Sequence, residues 1–281
     1  RPADEPVDTD IGSVRLPRGE GRGLKVLEGH FISESAMSRL LAGQLEGISH
    51  AHEEGDTRKT IWPAFPPEGK LEIPALADLE FHVGLGRDNA TRRHVDGMLY
   101  GISLIRLRPG VRFAVRVEGV DERIHPQDET IIVPLGGEGK LARLVVDDAR
   151  PWPKRPELKT GADGKLRFRI VLTTPACMPE KGWLPEGFVE GRGIDGGLRW
   201  QGCLQGVECS IVSACIGKAV PMGGWNMAEG RPRPLQPHVP AGSVYFCEAD
   251  ASQIKGIQNL HGSHMGQNTA LGFGHILIGC W

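Results

Sequence analysis

Three kinds of residue in this 281-residue chain have the right types and spacing to act on a ligand: glycine-flanked aromatics, clustered arginines and closely spaced histidines. Gly272-Phe273-Gly274 precedes an apolar run, Ile276-Leu277-Ile278. A glycine-rich loop of this kind can turn backbone N–H groups toward phosphate. A dinucleotide fingerprint needs a strand, then the loop, then a helix. Here a helix-like segment comes first and a strand-like one follows, the wrong order for a Rossmann or P-loop site. A tight turn into a strand accounts for the same residues equally well. Gly223-Gly224-Trp225-Asn226 offers an indole that can stack on a base or close the edge of a core. Residues 87–123 hold eight arginines and five carboxylates. Arg92-Arg93 falls in a turn, where guanidinium groups can reach phosphate. A solvated sheet face is the alternative. Lys140 follows a second glycine-rich turn, Gly136-Gly137-Glu138-Gly139.

The remaining reactive residues give weaker signals. His261-x-x-His264 and His50-x-His52 have ligand-like spacing, but no third ligand accompanies either pair, so neither a metal nor another cofactor is expected. His261, His264 or His275 could instead serve as a general acid in RNA cleavage. Gly-x-Ser-x-Gly is absent, which removes an α/β-hydrolase elbow. The six cysteines form no C-x-x-C pair. Cys209 and Cys215 sit among strand-like apolar neighbours and read as reduced, buried thiols of a cytosolic protein.

The elements that must position these residues are mostly strands. Residues 1–30 are polar and read as loop or linker. A helix starts at Ser33, with Met37, Leu40, Leu41, Leu45 and Ile48 on one face. The Pro-rich stretch 62–74 reads as irregular. Ile102 to Arg108 and Val111 to Glu118 flank Pro109-Gly110. In the second of these, Val111, Phe113, Val115 and Val117 alternate with Arg112, Ala114, Arg116 and Glu118, the best strand signal in the chain. Further strands are expected at 130–134, 141–146, 166–173, 209–216, 242–247 and 275–280. Gly223 to Asn226 and the Pro-rich 231–240 read as loops. A short helix is expected over 251–260, with Ile254, Ile257 and Leu260 inward. Few helices among many strands imply an α+β fold.

Composition agrees. The chain has 39 Gly and 21 Pro, well above the roughly 12% of average usage, with no G-X-Y period. No run of 18 apolar residues exists, so no membrane-spanning helix is expected. The chain starts RPADEPVDTD, which is neither a leader nor a methionine start. The net charge of -2 argues against a free-standing nucleic-acid binder but not against a subunit of an assembly.

Eight stretches, in order, resemble one family. They are E-F-H-V-G-L-G-R (80–87), T-R-R-H-V-D-G-M-L-Y (91–100), V-P-L-G-G-E-G-K-L-A (133–142), V-L-T-T-P-A (171–176), K-G-W-L-P (181–185), M-G-G-W-N (222–226), V-P-A-G-S-V-Y-F (239–246) and G-F-G-H-I-L-I-G (272–279). Together they resemble the RAMP superfamily, and within it the third subunit of the Cmr module of type III-B CRISPR systems. The likeness covers about 71–281 and is thin before that. It implies two ferredoxin-like, RRM-type modules, divided here as 1–150 and 151–281. The family's opening strand and its Pro-rich segment are missing, so the first module is expected to be incomplete and the chain part of a longer subunit. The resemblance also implies a cytoplasmic, non-catalytic subunit of a hetero-oligomer. Such a subunit holds the 5′ tag of the crRNA and contacts the large polymerase-like subunit and the backbone RAMP subunit. The residues expected to bind RNA are Arg92, Arg93, Lys140, Gly224, Trp225, Asn226, Gly272, Phe273 and Gly274. The rival expectation within the superfamily is an endoribonuclease that processes precursor crRNA.

Overall fold

The computed structural model describes residues 7–9, 12–14, 30–32, 34–44, 70–72, 77–121, 130–136, 139–146, 153–178, 182–194 and 196–281. The chain divides into two compact units, residues 71–152 and the remainder. Among the described residues no helix is long and apolar enough to cross a membrane.

Strand-forming sequence dominates, as an α+β reading requires. Short strands β1 (Val7–Thr9), β2 (Gly12–Val14), β3 (His30–Ile32) and β4 (Lys70–Glu72) lie in the first part of the chain. The expectation of plain loop over 1–30 is corrected by β1 and β2, which pair antiparallel. Likewise, β4 occupies the proline-free part of the stretch at 62–74, where nothing prevents pairing. Helix α1 runs Glu34–Leu41. Its expected start, Ser33, lies outside the described residues, as do Leu45 and Ile48. The apolar period continues past Leu41, but the helix does not. Gly43 takes a left-handed φ of 73°. Its N–H donates to Leu40 O and that of Gln44 to Arg39 O, closing a Schellman turn.

The main sheet has six antiparallel strands in the order β10-β11-β12-β15-β9-β16. They are β9 (Lys165–Leu172), β10 (Val189–Arg192), β11 (Leu198–Leu204), β12 (Val207–Cys215), β15 (Val244–Asp250) and β16 (Ile276–Cys280). Alternation in β9 explains the layers. Leu166, Phe168, Ile170 and Leu172 enter the main core with Ile211, Tyr245, Cys247, Ile276 and Ile278. Helix α2 (Ile254–Asn259), entered through a 3-10 turn at Ala251–Gln253, covers that face. Ile257 and Leu260 are buried there and Ile254 partly so, as expected from the sequence. On the opposite face, Val171 and Leu277 pack against Leu41 of α1. Arg169 also reaches α1, donating from Nη2 to Leu40 O. A Cβ on Gly279 would meet Leu41 Cα and O at 3.0 Å, so the helix backbone lies directly on β16. Of the six free thiols, Cys177, Cys209 and Cys247 are buried. Cys215, expected to be buried, is exposed at the end of β12.

Strands β13 (Val220–Asn226) and β14 (Arg231–His238) form a separate hairpin. Both segments read as loops in sequence. Prolines 232, 234 and 237 block a central strand but not one whose free edge needs no donor. Residues 71–152 contain β5 (Ala77–Arg87) and β6 (His94–Leu107), paired antiparallel, and a smaller hairpin of β7 (Thr130–Pro134) and β8 (Leu141–Val145). The alternating segment 111–118 is not a strand, contrary to its pattern. Phe113, Val115 and Val117 are 69–82% exposed, so no packed face rewards the alternation.

Candidate nucleic-acid interface

The nine residues expected to bind RNA fall in both units. Arg92, Arg93 and Lys140 lie within 71–152, and the others lie in the remainder.

At the tip of the β5–β6 hairpin, Asp88 organises the turn. Its Oδ1 accepts the N–H of Ala90 at 2.7 Å and of Thr91 at 3.0 Å. Those backbone donors hold the Asp88 carboxyl below its usual pKa. Arg92 N donates to Asp88 O at 2.8 Å, and Arg92 takes a left-handed φ of 59°. The turn thus throws Arg92 and Arg93 outward, both exposed. Among the described residues neither has an ion-pair partner, whereas Arg106 and Arg108 pair with Glu80 and Asp78. Lys140 is also exposed, in the β7–β8 turn, where its carbonyl accepts the Leu135 N–H at 3.1 Å.

The Gly-rich loop lies in the second unit and is tightly constrained. Gly272 and Gly274 have φ of 85° and 73°. A Cβ on Gly274 would lie 1.8 Å from Met265 O, whereas one on Gly272 would meet nothing within 4 Å. The loop is tied to the tail of β9. Gly274 N donates to Pro175 O at 2.8 Å, and Thr174 Oγ1 donates to Gly272 O at 2.8 Å and accepts the His275 N–H at 2.8 Å. Phe273 N–H has no partner among the described residues. Among the described residues, those bonded to or stacked on the loop, Thr174, Pro175, His238, Met265 and Thr269, carry no carboxylate to repel a phosphate.

Phe273 lies against His238, with ring centroids 4.9 Å apart. His238 is the last residue of β14 and is buried. Its Nδ1 is 2.9 Å from Gln236 O. A carbonyl only accepts, so Nδ1 carries a proton, and in the neutral ring Nε2 then presents a lone pair. Nε2 is buried without a hydrogen-bond partner among the described residues. A buried acceptor left bare costs about 1–3 kcal/mol.

Trp225 is half-exposed near the far end of the same hairpin. It pairs with Pro232, while His238 pairs with Val220. Five residues of strand separate the two levels, about 17 Å at roughly 3.4 Å per residue. Trp225 and Phe273 therefore do not form one stacking platform. Gly224 lies beside the β-bulge between Met222 and Gly224. Asn226 turns inward on its own hairpin: Oδ1 accepts the N–H of Ala228 at 3.1 Å and of Glu229 at 3.3 Å.

The histidines separate by geometry. His261 donates from Nε2 to Pro153 O at 2.8 Å and accepts the Ile278 N–H on Nδ1 at 3.1 Å. Both ring nitrogens thus serve the fold, and burial pushes its pKa down. His275 is buried, with Nδ1 2.5 Å from Thr173 Oγ1, and its ring meets that of His264 at 5.1 Å. Among the described residues no group of three or more His, Cys, Asp or Glu could hold a metal. Thr173, Thr174 and His238 were not singled out in sequence. The V-L-T-T-P-A stretch held the only signal for the threonines, and His238 had none.

No curated protein matches the chain. Two solved structures are similar at 16% identity and a TM-score of 0.40, each covering 81% of this chain. One is described as a cryo-EM structure of the Type III-B Cmr-beta bound to cognate target RNA, the other as the same with AMPPnP, state 1. The chain spans 59% and 61% of those two chains. The family described as CRISPR-associated protein (Cas_Cmr3) matches residues 1–281, so the likeness extends through the first 70 residues, where the motifs are thin. The chain belongs to the Cas_Cmr3 family of CRISPR-associated proteins.

Proposed function

We propose that the chain is a non-catalytic, RNA-binding subunit of a type III-B CRISPR effector complex, holding the 5′ tag of the crRNA for antiviral defence. Family membership supports the assembly. The observation that carries the RNA reading is the loop at 272–274. Two left-handed glycines bracket a half-buried Phe273, whose N–H has no partner among the described residues. A backbone donor beside an aromatic ring suits a phosphate and its base. Arg92, Arg93 and Lys140 add exposed cations. The partners are the large polymerase-like subunit and the backbone RAMP subunit, in the cytoplasm. The order β16-β9-β15-β12, with α2 between β15 and β16, is that of a ferredoxin-like module whose first crossover carries β10 and β11 in place of a helix. That order supports the modular reading of the second unit.

Cross-linking tag RNA to the assembled complex tests the proposal. Labelled peptides are expected from 87–93, 136–143 and 222–275. Labels confined to other stretches would sink the assignment. The rival endoribonuclease would rest on His264 and His275. The engagement of both His261 nitrogens by backbone supports the non-catalytic reading. Repeat RNA incubated with the protein in chelator should remain intact. Cleavage that disappears in His264→Ala would favour the enzyme.

A further inference from the structure

We propose that His238 reads the ribose of RNA bound at the Gly-rich loop, its Nε2 accepting a hydrogen bond from a 2′-hydroxyl. The inference rests on the reading of that loop as an RNA site.

Three observations converge. First, the tautomer is fixed: Nδ1–H is committed to Gln236 O at 2.9 Å, so Nε2 can only accept while the ring is neutral. Second, that acceptor is buried, on a residue 3% exposed, with no donor on it among the described residues. Proteins seldom leave such a group bare, and a donor brought by a ligand is one reason to keep it. Third, the group packed on this ring is Phe273, the aromatic of the loop itself, with centroids 4.9 Å apart and planes tilted by 41°. Access to that acceptor requires Phe273 to rotate about its side-chain bonds and uncover His238, while Gly274 holds the backbone against Met265. In this proposal the ring closed over the imidazole turns outward to stack on a base when RNA binds.

The ligand chemistry follows from what sits beside the acceptor. A phosphate on the Phe273 N–H brings its own sugar to the neighbouring imidazole. A 2′-hydroxyl is a donor present at every ribonucleotide and absent from every deoxyribonucleotide. A base amine could also donate, but only in some sequences. His238 would therefore separate RNA from DNA without reading sequence.

The test compares an eight-nucleotide oligouridylate with its oligodeoxyuridylate counterpart on the full chain. The two match in base and charge and differ at the 2′ position. The ribo-oligomer is expected to bind about fivefold to tenfold more tightly. His238→Ala should bring that ratio close to one. Phe273→Ala should weaken both oligomers and keep the ratio. The Nε2 nitrogen resonance of His238 in the unaltered chain gives a readout that no misfolded variant can confuse. It should move with the ribo-oligomer and not with the deoxy-oligomer. A ratio unchanged in a folded His238→Ala, or a resonance that moves equally with both, overturns the ribose role and leaves the RNA reading standing. If neither oligomer binds, the RNA reading of the loop falls and the ribose role with it.

Discussion

Gly272 and Gly274 stand two residues apart and obey different constraints. At Gly274 an added methyl would overlap Met265 O at 1.8 Å, so Gly274→Ala should cost more than about 3 kcal/mol and lower the melting temperature severely. At Gly272 the space is open and only the left-handed φ resists, so Gly272→Ala should cost about 1 kcal/mol and still fold. Thermal melts of the two variants check the contrast. His261 gives a pH prediction. Burial holds its folded pKa below 6.5, so as pH falls below 6.5 the unfolded chain takes up a proton that the folded chain resists. Stability from this group is complete above 6.5 and declines through the acid side, toward the folded pKa. Melting curves between pH 7.5 and roughly 5 should fall less steeply in His261→Gln than in the parent. At the hairpin tip, Arg92→Ala with Arg93→Ala should leave the fold intact. Each lost phosphate contact should flatten the salt dependence of RNA affinity by about 0.7.

At the scale of elements, β9 is the most demanding strand, because its neighbours β15 and β16 bury it on both edges and both faces are covered. Phe168→Ala should destabilise the second unit by about 3–5 kcal/mol, measured by denaturant unfolding. This strand was legible in sequence because Leu166, Phe168 and Ile170 alternate with Lys165, Arg167 and Arg169 and lead into the apolar Ile170-Val171-Leu172. The pattern at 111–118 misled. Alternation reports which residues could share a face, not whether a second layer exists to bury it. Hairpin β13–β14 was hidden by its prolines, whose missing donors are harmless in a two-stranded ribbon. The Gly-rich loop could be located from sequence, but its floor could not. His238 is 35 residues from Phe273, and only the fold brings them together.

Across the whole molecule the two units differ in how they treat apolar surface. The second unit buries a large core on one face of its sheet and a smaller cluster on the other. The β5–β6 hairpin instead leaves Leu79, Phe81, Val83, Leu85, Leu99 and Ile105 between 56% and 71% exposed. Register places Leu79 opposite Ile105 and Leu85 opposite Leu99, so these residues line one face. A patch of this kind exceeds what a lone soluble protein usually shows to water. The isolated chain should therefore bind the dye ANS and self-associate, and Phe81→Ser should reduce both. Fluorescence and light scattering read the two effects.

The docking of α1 on β16 also sets a timetable. Leu41 cannot be buried, nor the Arg169 link to Leu40 made, until residues 276–280 exist. During synthesis the helix waits through the manufacture of three hairpins, β5–β6, β7–β8 and β13–β14, and nearly the whole sheet. From its own synthesis until β16 is made, β9 presents an open edge and a bare apolar side to the surrounding fluid. A chain so ordered matures late and slowly, and a chaperone or an early-arriving neighbour has the longest time to act on it at that edge.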